Sequence, residues 1–128
     1  MSKATETAKD KGPETVRASH ILVKHSKSRR PASWRDPDGK EIKKRTKEVA
    51  LVKLKEMRRM IEEKESEFGP LARKESDCSS ASNDGDLGVF GRGAMQKPFE
   101  DAAFALKVGE LSQVVDTDSG VHIILRTA

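Results

Sequence analysis

Residues 16–25 alternate in character. Val16, Ala18, His20, Leu22 and Lys24 fall on one side of a two-residue period and Arg17, Ser19, Ile21, Val23 and His25 on the other. Apolar and β-branched residues at that spacing predict a strand with both faces occupied. Successive side chains leave opposite faces of a strand, so Ile21 and Val23 give one face to a core while His20, Leu22 and Lys24 share the other. Further on the period changes. Ala50, Leu54, Met57 and Ile61 recur at i, i+4, i+7 and i+11 in a stretch without Gly or Pro. With Thr46 as N-cap and Glu48 at the positive end, they predict a long helix. A second helix runs from a Ser66 cap to near Ser76, burying Phe68, Leu71 and Ala72 and tolerating Pro70 in its first turn. A third opens at Lys97-Pro98, carries Phe99, Ala102, Ala103 and Leu106, and is ended by Gly109.

Short strands are predicted at residues 87–90, between the turn residues Asn83-Asp84-Gly85-Asp86 and Gly91-Arg92-Gly93, and at 111–115 and 121–126, joined as a hairpin. Residues 26–45 have no apolar period, contain Pro31, Pro37 and Asp38-Gly39, and carry Trp34. They read as a long surface loop, a kind of segment that is often functional. The order strand, two helices, strand, helix, hairpin gives an α+β fold in which strands from both ends share a sheet.

Composition sharpens the boundaries. Residues 1–15 are too poor in apolar side chains to offset ordering entropy and read as a flexible tail, leaving one domain over 16–128. No apolar run approaches the ~20 residues of a membrane span, so no membrane association is expected. The first residues lack the apolar segment of a secretion signal, which places the chain in the cytoplasm and nucleus. A single cysteine, Cys78, excludes an intrachain disulfide, and three histidines without zinc-ligand spacing predict no metal. No cofactor is expected either.

Charge is uneven. The chain carries 25 basic and 21 acidic residues for a net +4, but residues 1–50 hold 14 basic and 7 acidic side chains and residues 51–128 hold 11 and 14. From Thr15 to Arg35 there is no acid, while Arg17, Lys24, Lys27, Arg29, Arg30 and Arg35 supply six cations. The run reads as a solvated face, a nucleic-acid contact or a discrete anion socket. Adjacent arginines can converge on one phosphate, and only five aromatics are present to stack on bases, which favours the socket. Glycines 85, 88, 91 and 93 fit neither a dinucleotide fingerprint nor a P-loop, and mark turns. Cys78 with His20 and His122 admits two readings: an activated thiol, or a small buried residue beside two core histidines.

Six segments then carry a resemblance: His20-Ile21-Leu22-Val23-Lys24-His25, Ser28-Arg29-Arg30-Pro31-Ala32-Ser33-Trp34, Ser76-Asp77-Cys78-Ser79-Ser80-Ala81, Gly85-Asp86-Leu87-Gly88, Met95-Gln96-Lys97-Pro98-Phe99-Glu100 and Thr117-Asp118-Ser119-Gly120-Val121-His122-Ile123-Ile124. In this order they resemble parvulin-type peptidyl-prolyl cis/trans isomerases, and the Arg-Arg pair with Ser-Asp-Cys-Ser-Ser and Met-Gln-Lys-Pro-Phe resembles the subgroup acting on phosphoserine- or phosphothreonine-proline bonds.

The resemblance implies a four-stranded, mainly antiparallel sheet with four helices, one of them a short turn near residues 79–82. It implies a substrate-phosphate site at Lys24, Arg29 and Arg30, a proline pocket of Leu87, Met95 and Phe99, and a polar catalytic cluster of His20, Cys78, Ser119 and His122. Phe90, Gln96 and Thr117 are similar to pocket-lining positions. The partners implied are phosphorylated Ser/Thr-Pro proteins, met by a monomer without the WW module that many relatives carry. Binding without turnover and nucleic-acid association are the competing classes of function.

Overall fold

A computed structural model describes residues 14–128 of the chain. The expected tail thus lies outside the described residues except at its end, where Thr15 is already the first residue of a strand. Four strands, β1 (Thr15–Val23), β2 (Asp86–Gly91), β3 (Val115–Thr117) and β4 (Gly120–Arg126), form one sheet in the order β2-β1-β4-β3, every neighbouring pair antiparallel. The helices are α1 (Lys47–Glu62), α2 (Phe68–Glu75) and α3 (Lys97–Ala105), with 3₁₀ turns at Ile42–Lys44 and Ser79–Asn83. The expected short helix is the second of these turns. This is the α+β architecture anticipated from the chain, with three α-helices, the expected turn, and a further 3₁₀ turn at Ile42–Lys44.

Alternation along β1 divides the core as its period requires. Ile21 and Val23, with Val121 and Ile123 of β4, pack against Ala50, Leu54 and Met57 of α1 and Phe68 and Ala72 of α2. Val16 and Ala18, with Phe90, Val115 and Ile124, pack against Phe99, Ala103 and Phe104 of α3. The sheet is therefore covered on both sides, and burying each large apolar side chain contributes about 1.5–3 kcal/mol. Thr46 caps α1 as expected, its side chain accepting Val49 N–H.

Several boundaries differ, each for a local reason. β1 stops at Val23 instead of His25 because the next two backbone N–H groups go to side chains, Lys24 N–H to Asp77 Oδ2 and His25 N–H to Ser28 Oγ. Ser66 does not cap α2: its N–H donates to Met60 O, closing α1 past the left-handed Lys64, and Glu67 precedes the helix instead. α3 ends at Ala105, where Leu106 turns extended into the core, and Gly109 serves later as a turn whose N–H reaches Arg126 O. The strand expected at 111–115 is displaced to Val115–Thr117. Only Leu111 bridges to Leu125, because the Ser112 hydroxyl accepts Ile124 N–H and interrupts the ladder.

The segment 26–45 is a loop, but a pinned one. Ile42 is fully buried, and the Asp36 carboxylate accepts the N–H groups of Lys40, Glu41 and Ile42. Its main anchor is Asp77. That carboxylate accepts Lys24 N–H at 2.9 Å, Ser33 Oγ–H at 3.0 Å and Arg45 Nη1–H at 3.3 Å, while Arg45 also donates to Lys24 O. Next to it, Ser76 Oγ accepts Leu22 N–H and Ser76 O accepts the Trp34 indole N–H. Asp77→Ala would leave a half-buried guanidinium and two donors without their acceptor. We expect a loss of about 3 kcal/mol in unfolding free energy, read as a lowered urea midpoint at unchanged slope.

Candidate active site

The register of the central strands brings two distant histidines together. Leu22 faces His122 and His20 faces Ile124, so the two imidazoles are diagonal neighbours on the α3 side of the sheet. Their Nδ1 atoms stand 3.0 Å apart, the rings stacked at 22°. Phe99 meets both edge-on, at 5.4 Å from His20 and 5.2 Å from His122. His122 Nε2 bonds Thr117 Oγ1 at 2.7 Å, whereas His20 Nε2 is buried with no partner among the described residues. A nitrogen–nitrogen bond needs one donor and one acceptor, so at least one of the two facing Nδ1 atoms is unprotonated and the tautomers along Thr117–His122–His20 are coordinated. Burial pushes His20 down to about 4, and burial together with the charge His20 would carry pushes His122 well below its ordinary value. At neutral pH the pair is an uncharged, hydrogen-bonded floor.

Beside it lies a cleft of about 540 Å³ with a different character. Lys24, Arg29, Arg30, Cys78 and Ser119 line it, with Trp34 and Pro37 at the edge. Lys24 Nζ donates to Arg30 O and Ala32 O, which leaves one of its three N–H groups for a ligand. Burial lowers its pKa, and the neighbouring Arg30 and Arg29 charges lower it further against the opposite pull of Asp77 and Cys78. The other cations of the acid-free stretch are elsewhere. Arg17 pairs with Asp86 across β1 and β2, Arg35 with Glu75, and Lys27 lines a separate cleft.

Cys78 begins the 3₁₀ turn Ser79–Asn83, its Sγ accepting Ser80 N–H at 3.5 Å. Among the described residues no hydrogen bond joins it to either imidazole, so the thiol belongs to the cationic wall and not to the histidine chain. Ser119 Oγ accepts from Gln96 Nε2 at 2.9 Å, and its own N–H donates to Thr117 Oγ1. Leu87 and Met95 are half-buried against the core containing Phe99. Phe90 is buried and in ring contact with Phe99 and Phe104. Asp77, which holds the cationic loop, was not singled out by the sequence; its signal is an acid placed directly before Cys78.

These features coincide with a family match. The rotamase model, a PPIC-type PPIase domain, matches residues 20–128. The chain belongs to the PPIC-type peptidyl-prolyl isomerase family. It is a peptidyl-prolyl cis-trans isomerase, as are its relatives. A peptidyl-prolyl cis-trans isomerase Pin1 of Arabidopsis thaliana is 59% identical over 115 residues, covering 90% of this chain and 97% of that one. The pin1 protein of Schizosaccharomyces pombe is 52% identical over 128 residues, all of this chain and 70% of its own. Among solved structures, the peptidyl-prolyl isomerase ESS1 from Candida albicans superposes with a TM-score of 0.89 at 45% identity, over 98% of this chain and 72% of that one.

For this isomerase the histidine pair has a consequence for pH. An imidazole held neutral in the fold but free to ionise near pH 6.5 when unfolded makes the unfolded state bind more protons as pH falls below that value. Stability is thus unaffected by His20 above pH 7 and falls as pH drops from about 6.5 toward 4, by about 3 kcal/mol from His20 alone. Imidazole resonances followed by NMR should show neither ring of the pair titrating between pH 8 and 5.5; a midpoint near 6.5 for either would contradict the buried neutral pair.

Proposed function

We propose that this isomerase acts on proline bonds preceded by phosphoserine or phosphothreonine, and that it turns them without forming a covalent bond to the substrate. The observation that carries the first part is the cleft wall of Lys24, Arg29 and Arg30. Three cations share one concave surface. Neither arginine has an ion pair among the described residues, and Lys24 is held by carbonyl oxygens with its charge penalised by burial and by Arg30 and Arg29. A phosphate, with about −1.5 to −2 charges near pH 7, relieves that penalty in a way a serine hydroxyl cannot. Guanidinium forks and a single ammonium N–H suit three phosphate oxygens. Because the remaining cations of the stretch are paired or placed on other surfaces, a continuous basic strip for nucleic acid is disfavoured.

The second part follows from energetics. Rotation about an X-Pro amide crosses ~18–20 kcal/mol because resonance is lost at the twisted geometry. A millionfold acceleration needs only about 8 kcal/mol of preferential stabilisation. Under this reading the phosphate is gripped by the arginine loop and the proline ring by Leu87, Met95 and Phe99, so binding energy from groups remote from the amide resists its planar form. Cys78 and Ser119, on the wall between, offer polar atoms to the carbonyl as it rotates, and Cys78 acts electrostatically. The neutral histidine floor supports the ring side without placing charge beneath it.

The test compares two-dimensional exchange rates for matched pSer-Pro and Ser-Pro peptides. We expect a preference of at least about a hundredfold for the phosphorylated peptide, largely abolished by Arg29→Ala with Arg30→Ala, since two charge-assisted contacts contribute about 1.5–3 kcal/mol each. Equal rates for the two peptides would refute the socket. Cys78→Asp should keep substantial activity where Cys78→Ala loses most of it; an inactive but folded Asp variant would restore the nucleophilic role.

A further inference from the structure

Gln96 is the N-cap residue of α3, yet its side chain makes no bond to the first turn of that helix. The amide is instead turned toward the β3–β4 connection. Its Oε1 accepts Asp118 N–H at 3.2 Å and its Nε2 donates to Ser119 Oγ at 2.9 Å. The carbonyl of that same Asp118 accepts Arg29 N–H at 2.7 Å. Among the described residues this is the one main-chain to main-chain bond that ties residues 27–30 to a segment distant along the chain, the others reaching only His25 and Ala32.

One residue earlier, Thr117 Oγ1 accepts Ser119 N–H at 3.1 Å and meets His122 Nε2 at 2.7 Å. The turn 117–119 is thus where three parts of the site are joined: the histidine pair through Thr117, the arginine loop through Asp118 O, and the start of α3 through Gln96. The first turn of α3 also carries Phe99, whose ring meets both histidines, so Gln96 opens the helix that holds it.

We propose that Gln96 is a positioning residue for the arginine loop: by holding the Asp118–Ser119 segment it fixes the carbonyl from which Arg29 hangs, and so sets the distance between phosphate grip and ring grip. A device that turns a bond by holding both sides depends on that distance, because displacements near 1 Å can cost a hundredfold in rate. The inference rests on the phosphate-socket reading of Lys24, Arg29 and Arg30.

The experiment is a double-mutant cycle on the full chain with Gln96→Met, which keeps the length of the side chain and removes both hydrogen bonds, and Arg29→Ala. The quantity followed is the ratio of kcat/KM for pSer-Pro over Glu-Pro peptides, alongside hydrogen exchange of the Arg29 amide. Gln96→Met should lower the ratio about fivefold to tenfold, chiefly through KM, and speed Arg29 exchange about tenfold, as expected for losing bonds of roughly 1 kcal/mol each. In the Arg29→Ala background, which keeps the main-chain tie to Asp118 O but removes one phosphate contact, it should lower the ratio by less. Gln96→Glu, which keeps an acceptor for Asp118 N–H, should restore Arg29 protection. A Gln96→Met enzyme with reduced kcat but unchanged ratio and unchanged Arg29 exchange overturns the proposal and leaves Gln96 a contact to the ring. If the wild type itself shows no phosphate preference, the socket reading falls and this inference with it; if the preference exists and survives Gln96→Met, this inference alone falls.

Discussion

One edge of β1 governs how the site is built. β2 pairs with β1 only from Thr15 to Ser19, beyond which the remaining backbone groups on that edge face a gap in the sheet. Unpaired buried N–H groups cost about 1–3 kcal/mol each, so the chain must supply partners. It does so with residues that are not in a strand. Gly85 O accepts His20 N–H, Ser76 Oγ accepts Leu22 N–H, Leu22 O accepts Asp77 N–H, and Asp77 Oδ2 accepts Lys24 N–H. The consequence is positional: satisfying that edge draws Ser76-Asp77-Cys78 alongside the strand that carries His20 and Lys24. Gly85 shows how tight the fit is, since a Cβ there would sit 2.4 Å from His20 O, at a φ of +86° that disfavours other residues.

Asp77 then extends the same constraint outward. With 4% of its surface exposed, it collects Lys24 N–H, the Ser33 hydroxyl and Arg45, and those three bonds hold both ends of the cationic loop. A loop bearing adjacent arginines would otherwise splay by charge repulsion. A buried acid pins it, while the Arg29 and Arg30 side chains stay exposed.

What could be read from the chain follows the same physics. Alternation at 16–25 correctly divided β1 into two faces, and the 3.6-residue stripe at Ala50, Leu54, Met57 and Ile61 placed α1, because burial enforces those periods. The misplaced strand boundaries lie where a side chain replaces a backbone partner: Asp77 at Lys24, Ser28 at His25, Ser112 at Ile124. Nothing in a local window distinguishes such a serine or aspartate from a solvated one. The same limit applies to the site. The shared face of His20 and Lys24 was visible, but the pairing of His20 with His122 depends on the β1–β4 register across 102 residues. Among six cations in the acid-free stretch, only long-range partners such as Asp86 and Glu75 separate those that line the cleft from those that do not. The resemblance to parvulin-type isomerases supplied those assignments where local pattern stopped.

The site finally juxtaposes two environments that would be incompatible if they were exchanged. Under the proposed reading the proline ring needs a dry, neutral surround, and the phosphate needs uncompensated positive charge. A protonated histidine beneath the ring would repel the cationic wall and demand water; a carboxylate beside the arginines would satisfy them without substrate. The fold avoids the first by burying His20 and His122 together with their Nδ1 atoms in contact, and burial disfavours ionisation. It avoids the second by spending Asp77 on backbone, hydroxyl and Arg45, with its side chain almost fully enclosed. The acid lies close enough to Lys24 to lock the loop, yet its oxygens are already occupied. Under that reading positive charge is left over on the cleft wall of Lys24, Arg29 and Arg30, and the two grips stand on either side of the amide that must twist.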